Sequence, residues 1–356
     1  MLGIRRATAI TASLAFVALW TPVVAYTQPL FLASTVGAAG TVTRLPWDET
    51  TQGLPVMTVG QHDVWIASIV ATPAAPAVWR VDPARATVRA TPLTEQVLDI
   101  FPGDGTLWVS ALPLDGNGLL LYWVDIAHGF RLLAKAVPRA CQIEDGGHSA
   151  VYRGHLWLTC HRYGIYVFAP GERQPVQRIQ QRSVAALLPA SHELWAASEQ
   201  SLRAVAGRSK GATIPLPRGF VAEGDYASTI GWAVAGATAW AVGRGPTGVP
   251  ELVRIDLDRR VATAFSIVAP VGRDGYLGGG IAVAGNEIWL GDSQHMRLIR
   301  YSGAHPHKPL GYINLPGHRR APPVYFRLQG GAGAAWVDAQ GPSGTGTTLY
   351  RVGTNR

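Results

Sequence analysis

Ionisable side chains are gathered at a few places along this chain. Glu144, Asp145, His148, His161 and Arg162 lie close together; Glu223, Asp225 and Tyr226 follow, then Arg273, Asp274 and Tyr276, then Asp292 and His295, with Tyr325 and Arg327 last. Carboxylates and neutral imidazoles that converge can hold a hard divalent ion or work as an acid and base pair. His148, His161, Glu223 and Asp225 are the candidates for acid–base catalysis. Glu144, Asp274, Asp292 and His295 are the candidates for binding a divalent ion, magnesium or calcium. Arg162, Tyr226, Arg273, Tyr276, Tyr325 and Arg327 would form a ligand-binding face around them. The other reading of the same residues is solvated loop polarity, which loops carry for reasons unrelated to catalysis. The sequence contains no HExxH, CxxC, GxSxG or phosphate-loop motif, so zinc proteases, dithiol oxidoreductases, elbow serine hydrolases and nucleotide enzymes lose their usual signals.

The elements that must position these groups repeat. The stretch around Trp289 holds a short apolar run, the turn Gly285-Asn286-Glu287, then Ile288-Trp289-Leu290, a loop, and a second alternating run ending in Arg300-Tyr301. Trp65, Trp108, Trp157, Trp195, Trp240 and Trp336 stand in equivalent surroundings, 38 to 49 residues apart. That period belongs to four-stranded propeller blades. The expected fold is therefore all-β: a seven-bladed β-propeller with blades at about 55–93, 97–137, 149–180, 183–216, 231–267, 281–315 and 325–352. The last blade has only three strands of its own, and an open edge is a liability. Residues 40–45 resemble the other fourth strands, so an N-terminal strand joining the last blade is expected to close the ring. Each repeated tryptophan sits mid-blade, where it would bury about 150–250 Å² between blades, worth at most about 4–6 kcal/mol. Trp47, Trp79, Trp123 and Trp232 are off that position and freer to face solvent or a ligand. In such blades the loops between second and third strands open on the same face as those leading into the next blade. That face carries the ionisable groups above, whereas His305 and His307 fall on the opposite one. Within blade three the hairpin over 149–160 puts His148 and His161 at one end, which makes them the preferred catalytic pair.

Before the repeats the chain changes character. Arg5 and Arg6 precede an uncharged stretch from Ala7 to Trp20, and Val23-Val24-Ala25 offers small residues for cleavage. Residues 1–25 read as a signal peptide, with the propeller over 26–356 and a secreted or periplasmic location. The alternative is an uncleaved anchor reaching to about residue 33, the one route to a membrane. Export suits the two cysteines, Cys141 and Cys160. The hairpin geometry allows a disulfide stapling the intervening loop to blade three, worth about 2–4 kcal/mol; two buried thiols are the other possibility. The formal net charge is +8, two units lower without Arg5 and Arg6. Such a balance favours anionic surroundings, but the arginines are scattered, without the run or helix that a specific nucleic-acid groove would need.

Blade two carries Pro102-Gly103-Asp104-Gly105-Thr106-Leu107-Trp108-Val109-Ser110, and blades one and five carry Arg80-Val81-Asp82-Pro83 and Arg254-Ile255-Asp256-Leu257. These resemble the DG-x-LW and R-I-D-P signatures of streptogramin lyase-like (virginiamycin B lyase-like) propellers and their relatives among lactonase-type bacterial propellers. The likeness is at repeat level, from about residue 40 to the end, and only blade two shows the full DG-x-LW form. It implies the propeller fold. Family members with lyase activity use histidines and glutamates around a magnesium ion near the central channel, so the resemblance implies a site there without assigning it to numbered residues. Two functions are thus expected: a monomeric exported binding or scaffolding module for a protein or anionic envelope polymer, or a metal-assisted lyase or lactone hydrolase at the channel mouth.

Overall fold

The computed structural model describes residues 27–29, 33–37, 40–45, 47, 55–60, 63–68, 77–82, 87–93, 96–103, 106–112, 119–125, 133–136, 149–160, 163–181, 183–222, 231–267, 280–316, 325–331, 333–340 and 347–353. Among them the strands form seven antiparallel sheets. In chain order the blades are Pro55–Val59, Val64–Ser68, Ala77–Asp82 and Thr87–Pro92; Gln96–Gly103, Thr106–Leu112, Leu120–Asp125 and Leu133–Ala136; Ala150–Tyr152, His155–Cys160, Gly164–Phe168 and Gln177–Ile179; Ala186–Pro189, Leu194–Ala197, Ser201–Ala206 and Thr213–Pro215; Trp232–Ala235, Thr238–Arg244, Pro250–Asp256 and Val261–Ser266; Ile281–Ala284, Glu287–Asp292, Arg297–Ser302 and Pro309–Asn314; and Tyr325–Gly331, Ala334–Gln340 and Thr347–Gly353. The first strands of successive blades touch one another all the way round, from blade one through blade seven and back to one. This inner ring fixes the architecture as a seven-bladed β-propeller. Its tightness shows at Gly330, where a Cβ would stand 2.1 Å from the carbonyl oxygen of Val283 in the neighbouring inner strand.

The core divides into seven clusters, one per seam between blades, and each seam holds one repeated tryptophan. Trp65, Trp108, Trp195, Trp289 and Trp336 are at most 1% exposed, Trp240 4% and Trp157 7%, so the spacing in the sequence marks packing positions. In four blades the residue directly across on the third strand is arginine: Arg80 faces Trp65, Arg254 faces Trp240, Arg300 faces Trp289 and Arg351 faces Trp336. Three of those guanidinium groups lie over the indole, at 5.7, 5.5 and 6.0 Å from the ring centre for Arg80, Arg300 and Arg351. In blades one and six an acid two residues before the tryptophan completes the arrangement. Asp63 holds Arg80 at 2.9 Å, and Glu287 holds Arg300 at 2.8 Å. Of the two arginines that begin the R-x-D motifs, Arg80 therefore packs on its seam tryptophan, and Arg254 holds the equivalent register position opposite Trp240.

The ring closes as expected. Gly40–Leu45 pairs with Thr347–Gly353, Val42 opposite Val352 and Arg44 opposite Tyr350, and supplies the missing fourth strand of blade seven. Val42 enters the seam with blade six and Leu45 the seam with blade one. Two further pairings extend this clasp beyond what the sequence suggested: Ala33–Gly37 adds a fifth strand to blade seven, and Thr27–Pro29 pairs with the outer strand of blade one. The expectation for the off-position tryptophans needs one correction. Trp232 is only 5% exposed and packs in the seam of Trp195. That seam is lined largely by alanines, Ala186, Ala197, Ala204, Ala239 and Ala241, and a second indole fills the volume they leave. Trp47 and Trp79 are half-buried and meet edge to face at 5.0 Å.

Candidate functional site

Three segments that carry most of the candidate residues lie outside the described residues. These are 137–148 with Cys141, Glu144, Asp145 and His148; 223–230 with Glu223, Asp225 and Tyr226; and 268–279 with Arg273, Asp274 and Tyr276. His161 and Arg162 also lie outside them. The ends that anchor these segments are described. Cys160 closes the strand His155–Cys160 at 3% exposure, and its carbonyl accepts a 2.8 Å hydrogen bond from the Tyr163 N–H just beyond the turn. Tyr325 opens the inner strand of blade seven.

Asp292 and His295 are brought together at the predicted face. Asp292 ends the second strand of blade six with its side chain 1% exposed. Oδ1 accepts the backbone N–H of His295 at 3.2 Å, Oδ2 lies 2.8 Å from the His295 imidazole Nδ1, and the Arg297 Nε–H donates to Oδ2 at 2.6 Å. The Arg297 guanidinium stacks 4.4 Å from the centre of the Tyr312 ring. Since a carboxylate can only accept, Nδ1 carries the proton, and Nε2 is left on a side chain 58% exposed. Asp292 thus acts as a brace between the two ends of its loop, presenting His295 outward.

The inner wall holds a second group, of which sequence reading had singled out only Arg327. Arg327 stands directly across from Asp338, which is 1% exposed. Two residues along the same strand, Gln329 bridges to blade one: its Nε2 donates to the Met57 carbonyl at 2.7 Å and its Oε1 accepts from the Val59 N–H at 3.0 Å. One amide side chain so satisfies the channel-side edge of the neighbouring inner strand. From blade two, a β-bulge between Val97 and Asp99 re-aims Asp99. Burial pushes the Asp99 carboxyl above the usual aspartate value; the Arg327 charge and a 2.9 Å hydrogen bond from the Ile100 N–H pull the other way. A carboxyl and a guanidinium from blades on either side of blade one are therefore electrostatically linked across the inner wall. A lone carboxylate between Val97-Leu98 and Ile100-Phe101 was the one signal available in the sequence. Among the described residues, no three His, Cys, Asp or Glu side chains are grouped as a metal site.

The class of protein is set by the ring, a seven-bladed β-propeller closed by its N-terminal strand. No protein-family model matches the chain, and no curated protein matches it. Solved structures do resemble it. BamB from Moraxella catarrhalis is similar at 13% identity and a TM-score of 0.47, over 92% of this chain and 96% of that one. Apo AztD from Citrobacter koseri is similar at 15% identity and 0.46, over 82% and 87%. The WD40 domain of coronin from Toxoplasma gondii is similar at 10% identity and 0.49, over 91% and 89%.

Proposed function

We infer that this protein is an exported binding or scaffolding module, a monomer that presents the loop face of its ring to a protein or an anionic polymer of the cell envelope. The observation that carries the reading is the use made of Asp292. In the blade-six loop of that face, the carboxylate is spent on His295 and Arg297, which orders the loop for presentation. The formal charge of +8 favours an anionic partner. Export rests on Arg5-Arg6 and the apolar stretch behind them, with cleavage near Ala25. Pairing of Thr27–Pro29 with blade one is in keeping with a mature chain that begins just before it. Oxidation of Cys160 with Cys141 belongs to the same proposal, as does a secreted or periplasmic location. An anchor to about residue 33 is the competing form.

A second reading is kept because of Asp99. A carboxyl with a raised pKa on a channel wall is the kind of group that acid–base chemistry uses, and the likeness to streptogramin lyase-like propellers points the same way. On that reading a divalent ion, magnesium or calcium, would be held by Glu144, Asp274, Asp292 and His295, with His148, His161, Glu223 and Asp225 moving protons. A thermal-shift titration of the chain from Tyr26 to Arg356 with magnesium, calcium, manganese and zinc separates the two. An ion at 100 times its dissociation constant adds about 2.7 kcal/mol to stability; a saturable rise that is lost in His148→Ala or His161→Ala moves the assignment to the enzyme. Binding of the same protein to polygalacturonate but not to dextran, weakening as salt rises, supports the anionic-polymer partner. Capture of an envelope protein at high salt, with no binding to polygalacturonate, supports a protein partner.

A further inference from the structure

We propose that the seam between blades three and four holds a binding site for a small organic anion with a flat apolar body, on the face opposite the loop face described above. Blade three breaks the repeat. Where blades one and six place an acid two residues before the seam tryptophan, blade three places His155; where four other blades place arginine across from it, blade three places Val167. Blade two covers its tryptophan with Trp123 across the strand, and blade four buries Trp195 beneath Trp232. Trp157 has neither cover and is the most exposed of the seven, at 7%.

The space left by the missing arginine is a cleft of about 340 Å³ lined by Tyr152, Arg153, His155, Trp157, Val167 and Lys210, with Val176, Gln177 and residues 205–207 completing it. Its volume is at the low end of the roughly 300–1,000 Å³ usual for small-molecule sites. The walls divide by chemistry. Trp157 and Tyr152, edge to face at 6.2 Å, and the valines make the apolar part. Three basic side chains stand at the rim, and no carboxylate lines the cleft. The backbone that carries each of the three is fixed. Arg153 sits in the two-residue turn with Gly154 at a φ of +52°, a left-handed conformation unusual for a long side chain, and its guanidinium lies 5.3 Å from the Tyr152 ring centre. The Arg153 carbonyl accepts a hydrogen bond from the His155 Nδ1–H at 2.9 Å, which leaves Nε2 for another partner. Glu193 is the blade-four residue in the acid position. Released from any arginine there, it accepts the Ser209 N–H at 2.9 Å and fixes the loop that carries Lys210. Tyr152 ties the two blades together by donating to the His192 carbonyl at 2.6 Å. Opposing charge at the rim and an aromatic floor select an anion on a planar frame over a cation or a sugar.

Calorimetric titration with naphthoate, naphthol and naphthylmethylammonium tests this on the chain from Tyr26 to Arg356. Naphthoate is expected to bind saturably at one site, with naphthol at least about tenfold weaker and the ammonium silent. The double variant His155→Glu with Val167→Arg rebuilds the arrangement of blade six. It should keep the melting temperature and lose naphthoate binding, and Lys210→Ala at the exposed rim should weaken binding by about tenfold. Three results would overturn the proposal: no naphthoate binding at millimolar concentration, equal binding to the wild type and the folded double variant, or preference for the ammonium.

Discussion

Removing the closing strand should open the ring and lower stability steeply. A chain beginning at Trp47 lacks Gly40–Leu45 and leaves the strand Thr347–Gly353 with a bare edge. Val42 and Leu45 are each 4% exposed and enter different seams, those of Trp289 and Trp336. Burial of a valine or leucine is worth about 1.5–3 kcal/mol, so the two together account for about 3–6 kcal/mol. That is a large share of the roughly 5–15 kcal/mol that holds a typical domain folded. With a guanidinium slope of about 4–6 kcal/mol per molar, the unfolding midpoint should fall by about 1 M relative to a chain beginning at Tyr26. Tryptophan fluorescence is the natural probe, because both affected seams contain an indole. Adding a synthetic peptide of residues 33–46 in trans should recover part of the loss. An unchanged midpoint would refute the reasoning, since it would mean that blade seven is stable with three strands and that the two side chains contribute little.

Three other perturbations read single groups. Burial raises the Tyr301 hydroxyl to about 12, so its contribution to stability is intact below about pH 10 and is lost as pH rises toward 12; absorbance at alkaline pH should show this tyrosine ionising with unfolding. Asp99 also has a raised folded pKa, so the stability it contributes at low pH disappears as pH rises through that value. Asp99→Asn should therefore raise the denaturation midpoint at neutral pH and flatten its pH dependence above the ordinary aspartate range, and a lowered midpoint would count against the raised-carboxyl account. Asp292→Ala removes the acceptor shared by His295 and Arg297, whose side chains are 58% and 29% exposed and can rehydrate; a loss of about 1–3 kcal/mol is expected in chemical denaturation, together with faster hydrogen exchange at the His295 amide.

Fold and site were legible to different degrees for one physical reason. A seam tryptophan must recur because every blade presents the same cavity to its neighbour, so seven copies of one residue announce both the blade count and the packing. Closure was legible too, because three strands in the last blade demand a fourth. Loop residues such as Glu223 or Asp274 obey no such constraint, and their type alone does not say where they point. Asp99 interrupts an apolar run in the sequence; its meaning depends on a bulge in its own strand and on Arg327, which reaches the same wall from blade seven. Blade three makes the point most sharply. A histidine before a tryptophan and a valine in a third strand are each ordinary, and neither attracts notice along the chain. Register places Val167 directly across from Trp157, with His155 two positions along the same strand. In a repeat protein, the informative residue is the one that departs from its equivalents in the other blades, and the equivalence becomes visible only when the strands are paired.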